Sequence, residues 1–201
     1  FLRGIWTEVS EVTRAGQTLT VAEMELGGTT YSREWYKYCG VQSFPGVRPA
    51  ADQDNYFRYA TSPPYQWQQE EVSAGSRINI DDFADYETWG NNIGRGGLGK
   101  PAMARWRSED VGDVMAVQLL RSSRVETLAE TDEWLAASTE AGFIATLNKC
   151  THFCCNAGYK STQQSAQFGA EDLIYCPCHQ SVYDPFVIEQ QTFVAFPRPE
   201  D

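Results

Sequence analysis

Apolar residues in this chain occur mostly in short runs or at every second position, as they do in β-strands. Polar and apolar side chains alternate in residues 18–25, and 111–120 and 143–147 are short, largely apolar stretches. Alternation places successive side chains on opposite faces of a sheet, and a short apolar run fits a strand buried on both faces. The pattern therefore predicts strands in these three segments. Further short strands are predicted at 76–80, 173–175 and 192–196.

One segment has a start signal for a helix. Ser123 and Glu126 have the spacing of a capping box, in which two side chains accept hydrogen bonds from free backbone N–H groups at the helix start. Apolar residues continue to position 137, and Gly142 ends the connection. The sequence thus predicts one short helix over 123–137. Because strands outnumber helices, the predicted fold class is mainly β, with antiparallel sheets.

The long stretch before residue 111 is predicted to be largely irregular. Residues 30–70 are rich in aromatic residues interrupted by prolines, so we expect loops and short strands whose rings form core. Residues 81–110 have the composition of a long exposed excursion. Their glycine run resembles a phosphate-binding loop, but Pro101 follows Lys100 where that motif needs Ser or Thr. We interpret this run as a surface loop.

The formal net charge of the chain is −11, from 27 acidic and 16 basic residues. Phosphate contacts need clustered Lys and Arg, so nucleic acid is not an expected partner. An acidic surface with few lysines suits a salt-rich cell exterior as well as an ordinary acidic protein. No stretch is apolar for long enough to cross a membrane, and the chain opens on Phe1 without a signal peptide. We expect a segment of a longer protein whose membrane anchor lies elsewhere.

Five of the six cysteines fall within 29 residues, which indicates one metal or redox site rather than a disulfide scaffold. They lie in two segments, C-T-H-F-C-C starting at Cys150 and C-P-C-H-Q-S starting at Cys176. The two histidines of the chain, His152 and His179, both lie there. In a Rieske [2Fe–2S] centre, two histidines replace two cysteines on one iron. The same four donors could hold one zinc ion, although zinc sites favour C-x-x-C pairs.

These segments resemble the two cluster-binding boxes of Rieske iron–sulfur proteins of cytochrome bc-type complexes, usually C-T-H-L-G-C and C-P-C-H-G-S. The sequence of these two segments is most similar to that of archaeal members, especially those of halophiles. The resemblance implies a [2Fe–2S] cluster with the thiolate ligands Cys150 and Cys176 and the imidazole ligands His152 and His179. No such specific match supports any other part of the chain.

The resemblance also implies how the neighbours of the ligands act. It implies a disulfide between Cys155 and Cys178, which would clamp the two ligand segments together and indicate an oxidising compartment. It implies that Ser181 and Tyr183 donate hydrogen bonds to a cluster or cysteine sulfur. Such donors stabilise the added electron and raise the redox potential.

Two positions depart from the family pattern. Cys154 and Gln180 stand where the family usually has glycine, the residue that adopts positive φ at least cost. Cys154 and Cys39 have no counterpart role in the boxes. They form a second disulfide or remain two buried free thiols. Downstream, F-P-R-P at 196–199 resembles the proline loop that covers the cluster in this family.

The fold that the resemblance implies is an antiparallel β-sandwich with one short helix. Residues 1–147 and 186–201 would form its base domain, and 148–185 an inserted cluster-binding subdomain. The implied function is electron transfer at high potential from a membrane quinol to a c-type cytochrome or blue-copper acceptor. The chain would then be an electron-transfer subunit beside a cytochrome b-type subunit, on the extracytoplasmic face of the plasma membrane, rather than an enzyme by itself.

Three other interpretations use the same residues. One is the Rieske subunit of an arsenite-oxidase-type enzyme, and another is a ferredoxin-like carrier or oxygenase component, although the latter class usually lacks the cysteine pair matched by Cys155 and Cys178. The third, from a different class, is a structural zinc domain.

Overall fold

The computed structural model describes residues 8–14, 16–26, 29–35, 56–106, 116–150 and 154–187. This part of the chain is mainly β, with antiparallel sheets and a few short helices, as the sequence predicts. No helix within it is long and apolar enough to cross a membrane.

The described strands form three antiparallel sheets. The first consists of β1 (Glu8–Arg14), β2 (Gln17–Leu26) and β3 (Thr29–Trp35). The second has the order β4 (Phe57–Tyr59), β5 (Lys100–Trp106), β6 (Ala116–Arg121) and β7 (Phe143–Leu147). The third contains β8 (Gly158–Tyr159), β9 (Ile174–Cys176) and β10 (Ser181–Tyr183), with β9 in the middle.

The predicted strands at 18–25, 143–147 and 173–175 are present as β2, β7 and β9, and the second half of 111–120 is present as β6. Residues 76–80 do not form a strand. Arg77 makes a single bridge with Arg58, and a 3-10 helix, Ile80–Phe83, begins where the strand was expected to end. The segment 192–196 lies outside the described residues.

Three short α-helices lie among the described residues: α1 (Gln66–Glu71), α2 (Ser123–Ala129) and α3 (Glu133–Ser138). The single helix predicted over 123–137 is therefore wrong, because it is divided in two. Ser122 caps α2 by accepting a backbone N–H of the first turn, one residue before the predicted cap. Asp132 then caps α3 in the same way. A second cap inside the predicted helix starts a new one there.

The prediction of an exposed excursion over 81–110 is also wrong in part. Its last third contains β5, which lies between β4 and β6 and buries Ala102 and Ala104. The loop before β5 buries Phe83 and Trp89. The glycines that suggested a surface loop end just before β5, so their signal masked the strand that follows.

The largest core lies against the four-stranded sheet and is rich in aromatic rings. Tyr59, Trp67, Phe83 and Phe143 form a chain of edge-to-face pairs, with ring centroids 6.1, 5.3 and 4.9 Å apart. Such pairs add about 0.5–1.5 kcal/mol each beyond the burial of their area. The prediction that the rings of the aromatic region form core is thus confirmed for Phe57, Tyr59, Tyr65 and Trp67.

Gln118 of β6 joins the four-stranded sheet to the third sheet. Its side-chain carbonyl accepts hydrogen bonds from the Tyr65 hydroxyl at 2.9 Å and from the Tyr159 N–H at 3.2 Å. Its amide donates to two backbone carbonyls, one on β5 and one on β6. All these groups are buried, and a buried amide with every partner in place fixes the elements around it. The third sheet lies wholly within 148–185, the predicted cluster-binding subdomain.

Candidate metal centre

Two loops bring Cys150 and Cys176, two of the four predicted donors, next to each other. The first leads from β7 to β8, and the second is the four-residue connection from β9 to β10, residues 177–180. Both close in the same way. The Cys154 N–H donates to the Cys150 carbonyl, and the Gln180 N–H donates to the Cys176 carbonyl, each at 2.9 Å. In each loop, the carbonyl of a cysteine therefore accepts the N–H of the residue four positions later.

The closing residues of both turns have left-handed backbone conformations. The φ angle is +61° at Cys154 and +60° at Gln180. These are the two positions where the resemblance leads one to expect glycine, which reaches such angles without a steric cost. The turns therefore adopt a positive φ at the expected positions, although neither residue is glycine.

Cys150 and Cys176 are buried, and neither is part of a disulfide. Burial raises the pKa of Cys176, and the neighbouring Cys150 sulfur raises it further. Backbone N–H groups of Cys178 and His179 donate to the Cys176 sulfur and lower its pKa. The Tyr183 hydroxyl lies 3.1 Å from the Cys150 sulfur. Burial outweighs these donors, so the pKa of Cys176 stays above its ordinary value. The two sulfurs thus lie side by side, Cys176 with backbone donors and Cys150 in hydrogen-bond contact with Tyr183.

A disulfide joins Cys155 of the first loop to Cys178 of the second, the pair that the resemblance implies, with 6.5 Å between their α-carbons. The sulfurs of Cys155, Cys176 and Cys178 all lie within 4.8 Å of one another. Two of these three belong to the disulfide and offer no thiolate to a metal. The cysteine donors available in the described residues are therefore Cys150 and Cys176.

The remaining predicted site residues differ in what the structure says of them. His179 is exposed at the turn between β9 and β10, whereas His152, Cys39 and the 196–199 segment lie outside the described residues. Cys154 is disulfide-bonded, and its predicted pairing with Cys39 stays a prediction. Ser181 lies opposite Cys176 in the register of β9 and β10, and its hydroxyl makes no hydrogen bond to a described residue.

Asn148, which sequence reasoning missed, closes the base of the first loop. Its side-chain carbonyl accepts the Ala157 N–H at 2.8 Å, and its own N–H donates to the Ala116 carbonyl at 2.9 Å. The amide N–H₂ group lies 3.0 Å from the Met103 sulfur. This side chain therefore fixes both ends of the loop relative to the four-stranded sheet. The only signal for it in the sequence was an Asn two residues before Cys150.

Lys160, also missed, ties the glycine-rich loop to the connection between β8 and β9. Its ammonium group is 1 % exposed and donates to the carbonyls of Ile93 and Arg95 and to the Asp172 carboxylate, at 2.9, 2.6 and 2.7 Å. The Arg95 backbone and guanidinium N–H groups also donate to Asp172. We call these four residues the Lys160 network.

Gly94 allows the Lys160 network to form. A side chain at this position would collide with the Asp172 carboxylate, and φ is +62° there. The glycine run that resembles a phosphate-binding loop is thus explained by a close approach to Asp172. This confirms that the run is a loop, but the loop is held down rather than free.

Comparisons of this chain with known protein families, with curated proteins and with solved structures find no match. The chemistry of the centre therefore has to be judged from its own donors. These are two adjacent buried thiols, an exposed imidazole, several hydrogen-bond donors aimed at sulfur, and a disulfide that fixes the two loops to each other.

Proposed function

We propose that the chain holds a Rieske-type [2Fe–2S] cluster through Cys150, His152, Cys176 and His179, and that it transfers single electrons. One observation supports this most strongly. Two loops that close in the same way, each starting at a free buried cysteine, are joined by a disulfide beside the exposed His179. Such a pair of loops can present one cysteine and one histidine each to a single group between them.

The donor set fits an iron–sulfur cluster better than a zinc ion. Every described cysteine has a place in it, because the two free thiols are donors and the others are in disulfides. Hydrogen bonds to the Cys150 and Cys176 sulfurs offset negative charge on them. Donors of this kind tune the potential of a cluster and have no comparable purpose in a structural zinc site.

When bound, such a cluster accepts and releases one electron at a potential of about −150 to +300 mV. The chain's own residues then decide what can react. The exposed imidazole of His179 can accept a hydrogen bond from a quinol hydroxyl. The sulfurs of Cys150 and Cys176 are buried and thus shielded from water. The disulfide fits an oxidising compartment. We therefore propose a quinol as electron donor, a c-type cytochrome or blue-copper protein as acceptor, and an extracytoplasmic location beside a cytochrome b-type subunit.

The cluster itself is tested by analysis of protein purified or reconstituted with iron and sulfide. We expect iron and sulfide in equal amounts and a rhombic EPR signal after reduction with dithionite. Cys176→Ala should abolish both, since it removes a ligand. Val182→Ala, an exposed position on the same hairpin, is the matched control and should retain both. A colourless, EPR-silent protein that contains zinc would instead indicate a structural zinc domain.

A redox titration separates the remaining alternatives. A midpoint potential in the upper half of the Rieske range, or above it, supports a carrier that oxidises quinol. A midpoint well below about −150 mV would point to an oxygenase-type carrier and contradict the proposed donor. Co-purification with a molybdenum enzyme rather than with a cytochrome b-type subunit would favour the arsenite-oxidase type.

Tyr183→Phe should lower the midpoint potential by about 50 mV. The Tyr183 hydroxyl lies 3.1 Å from the Cys150 sulfur. A ligand thiolate can only accept, so the hydroxyl would donate to it, and more strongly when the site gains an electron. A hydrogen bond of about 1 kcal/mol corresponds to roughly 40–60 mV for a one-electron couple. Tyr175→Phe is the matched control, because the Tyr175 hydroxyl is buried and has no hydrogen-bond partner in the described structure. If both variants shift the potential equally, the contact with Cys150 is not the cause.

A further inference from the structure

Gln180 adopts a backbone conformation that its side chain makes costly. Its φ is +60°, which glycine reaches freely and other residues reach only with strain. Its side chain is exposed and makes no hydrogen bond or ion pair with the described residues. The side chain therefore gives the folded chain no visible compensation. Strain that persists beside a functional group is a reason to look for a role outside the fold.

The chain segments on both sides of Gln180 and around the first loop contain no charged side chain. Residues 177–180, which we call the hairpin tip, are all exposed and include His179. The sequence has no Asp, Glu, Lys or Arg in 150–159 or in 173–183, although 21% of the chain is charged and its net charge is −11. Both loops that carry predicted donors thus lie in uncharged segments of an acidic protein. A neutral area with a polar amide suits a partner that is itself uncharged and offers hydroxyl groups.

We propose that Gln180 orients the electron donor by hydrogen bonding to a quinol docked against the hairpin tip beside His179. This inference rests on the proposed function and names a contact of the same site. A carboxamide both donates and accepts, so it can pair with a quinol hydroxyl in either sense. The adjacent His179 imidazole can take a second contact. A quinol held by two neighbouring polar groups is oriented, whereas one held by the imidazole alone can rotate.

Three variants of the cluster-loaded protein separate this contact from a structural role. Gln180→Ala removes the amide and keeps the backbone strain, whereas Gln180→Gly removes both. Gln164→Ala removes an exposed glutamine side chain on the 3-10 helix Gln163–Phe168 and is the matched control. The measurements are the second-order rate of reduction by trimethylhydroquinone, the midpoint potential and the midpoint temperature of unfolding.

We expect both Gln180 variants to be reduced about fivefold more slowly, the value of one lost hydrogen bond. Their midpoint potentials should match that of the wild type. Gln180→Gly alone should unfold about 2–4 °C higher, because it relieves the strain. Gln164→Ala should change none of the three. Higher salt should not restore or remove the difference, because no charge is involved.

Two results would overturn the proposal. In one, Gln180→Gly unfolds at a higher temperature but is reduced as fast as the wild type. In the other, the variants slow only the reaction with a c-type cytochrome, so that the amide contacts a protein acceptor. A cluster-loaded wild type that trimethylhydroquinone does not reduce at all would contradict the quinol function itself. That result is distinguishable, because the wild type and not the variant fails.

Discussion

Replacing Lys160 with methionine is expected to lower the free energy of unfolding by about 3–5 kcal/mol. The ammonium group is almost completely buried and has three acceptors, the carbonyls of Ile93 and Arg95 and the carboxylate of Asp172. Methionine fills a similar volume but donates to none of them. The two carbonyls would lose a charged donor, and the half-buried carboxylate would keep only Arg95. Urea unfolding at neutral pH measures the loss.

The matched control for this variant is Lys149→Met. Lys149 lies in the loop between β7 and β8, and its side chain has no ion pair with the described residues. A change at such a position is usually within about 0.5 kcal/mol. An equal loss in both variants would mean that the Lys160 network contributes no more than any other lysine.

The contribution of Asp172 to the Lys160 network should depend on pH. Burial raises the pKa of Asp172, but hydrogen bonds from Lys160 and Arg95 outweigh it and hold the pKa below its usual 3.8. The folded protein therefore binds the proton less well than the unfolded chain does. The stabilisation by this carboxylate is complete above about pH 4 and is lost as the pH falls through the lower, folded pKa. Asp172→Asn should thus be less stable than the wild type at pH 7, and the difference should shrink below pH 4 in urea unfolding. A difference that stays constant between pH 7 and pH 3 would contradict this.

The sequence allowed prediction of those features that depend on residues close together in the chain. The disulfide pair Cys155 and Cys178 lies in two short segments with a recognisable spacing, and β2 and β7 follow a simple apolar pattern. What it could not predict depends on distant parts of the chain. Lys160 is buried because carbonyls 65 and 67 residues away surround it, and nothing near it in the sequence indicates this.

The same limit applies to the connection between the sheets. Tyr65 donates either to Gln118 or to the carbonyl of Tyr159, 94 residues away. In the sequence, Tyr65 is one aromatic residue among many in a proline-rich region. Only the tertiary structure distinguishes a ring that fills the core from one whose hydroxyl also positions the third sheet. By contrast, the glycine run that includes Gly94 was recognised in the sequence, but it fits two structures. It could be a free surface loop or a backbone that lies close against another side chain, here Asp172.

The second large effect is expected from the double variant Cys155→Ser, Cys178→Ser. The disulfide closes a segment of 23 residues and joins the two donor loops directly. Removing a disulfide that closes a loop of this size lowers the free energy of unfolding by about 3 kcal/mol, because the unfolded chain regains the conformational freedom that the bond removes. Urea unfolding of the cluster-free protein at neutral pH measures this cost. In the cluster-loaded protein, loss of the visible absorbance over time should be faster in the variant, since the two loops are then held together by the cluster alone.

Reductant distinguishes the covalent link from the packing of the two side chains. In the cluster-free protein, a thiol reductant that opens the disulfides should bring the wild type down to the stability of the double variant. Both proteins then have an unlinked pair of loops, and the Cys154 disulfide is lost from both alike. If the wild type stays about 3 kcal/mol more stable when fully reduced, the sulfur atoms stabilise the loops by packing and not by the bond. If the gap closes in the cluster-free protein and the loaded variant still keeps its absorbance, the bond stabilises the fold without protecting the metal centre. The disulfide between Cys155 and Cys178 would then stabilise the fold without contributing to the proposed redox site.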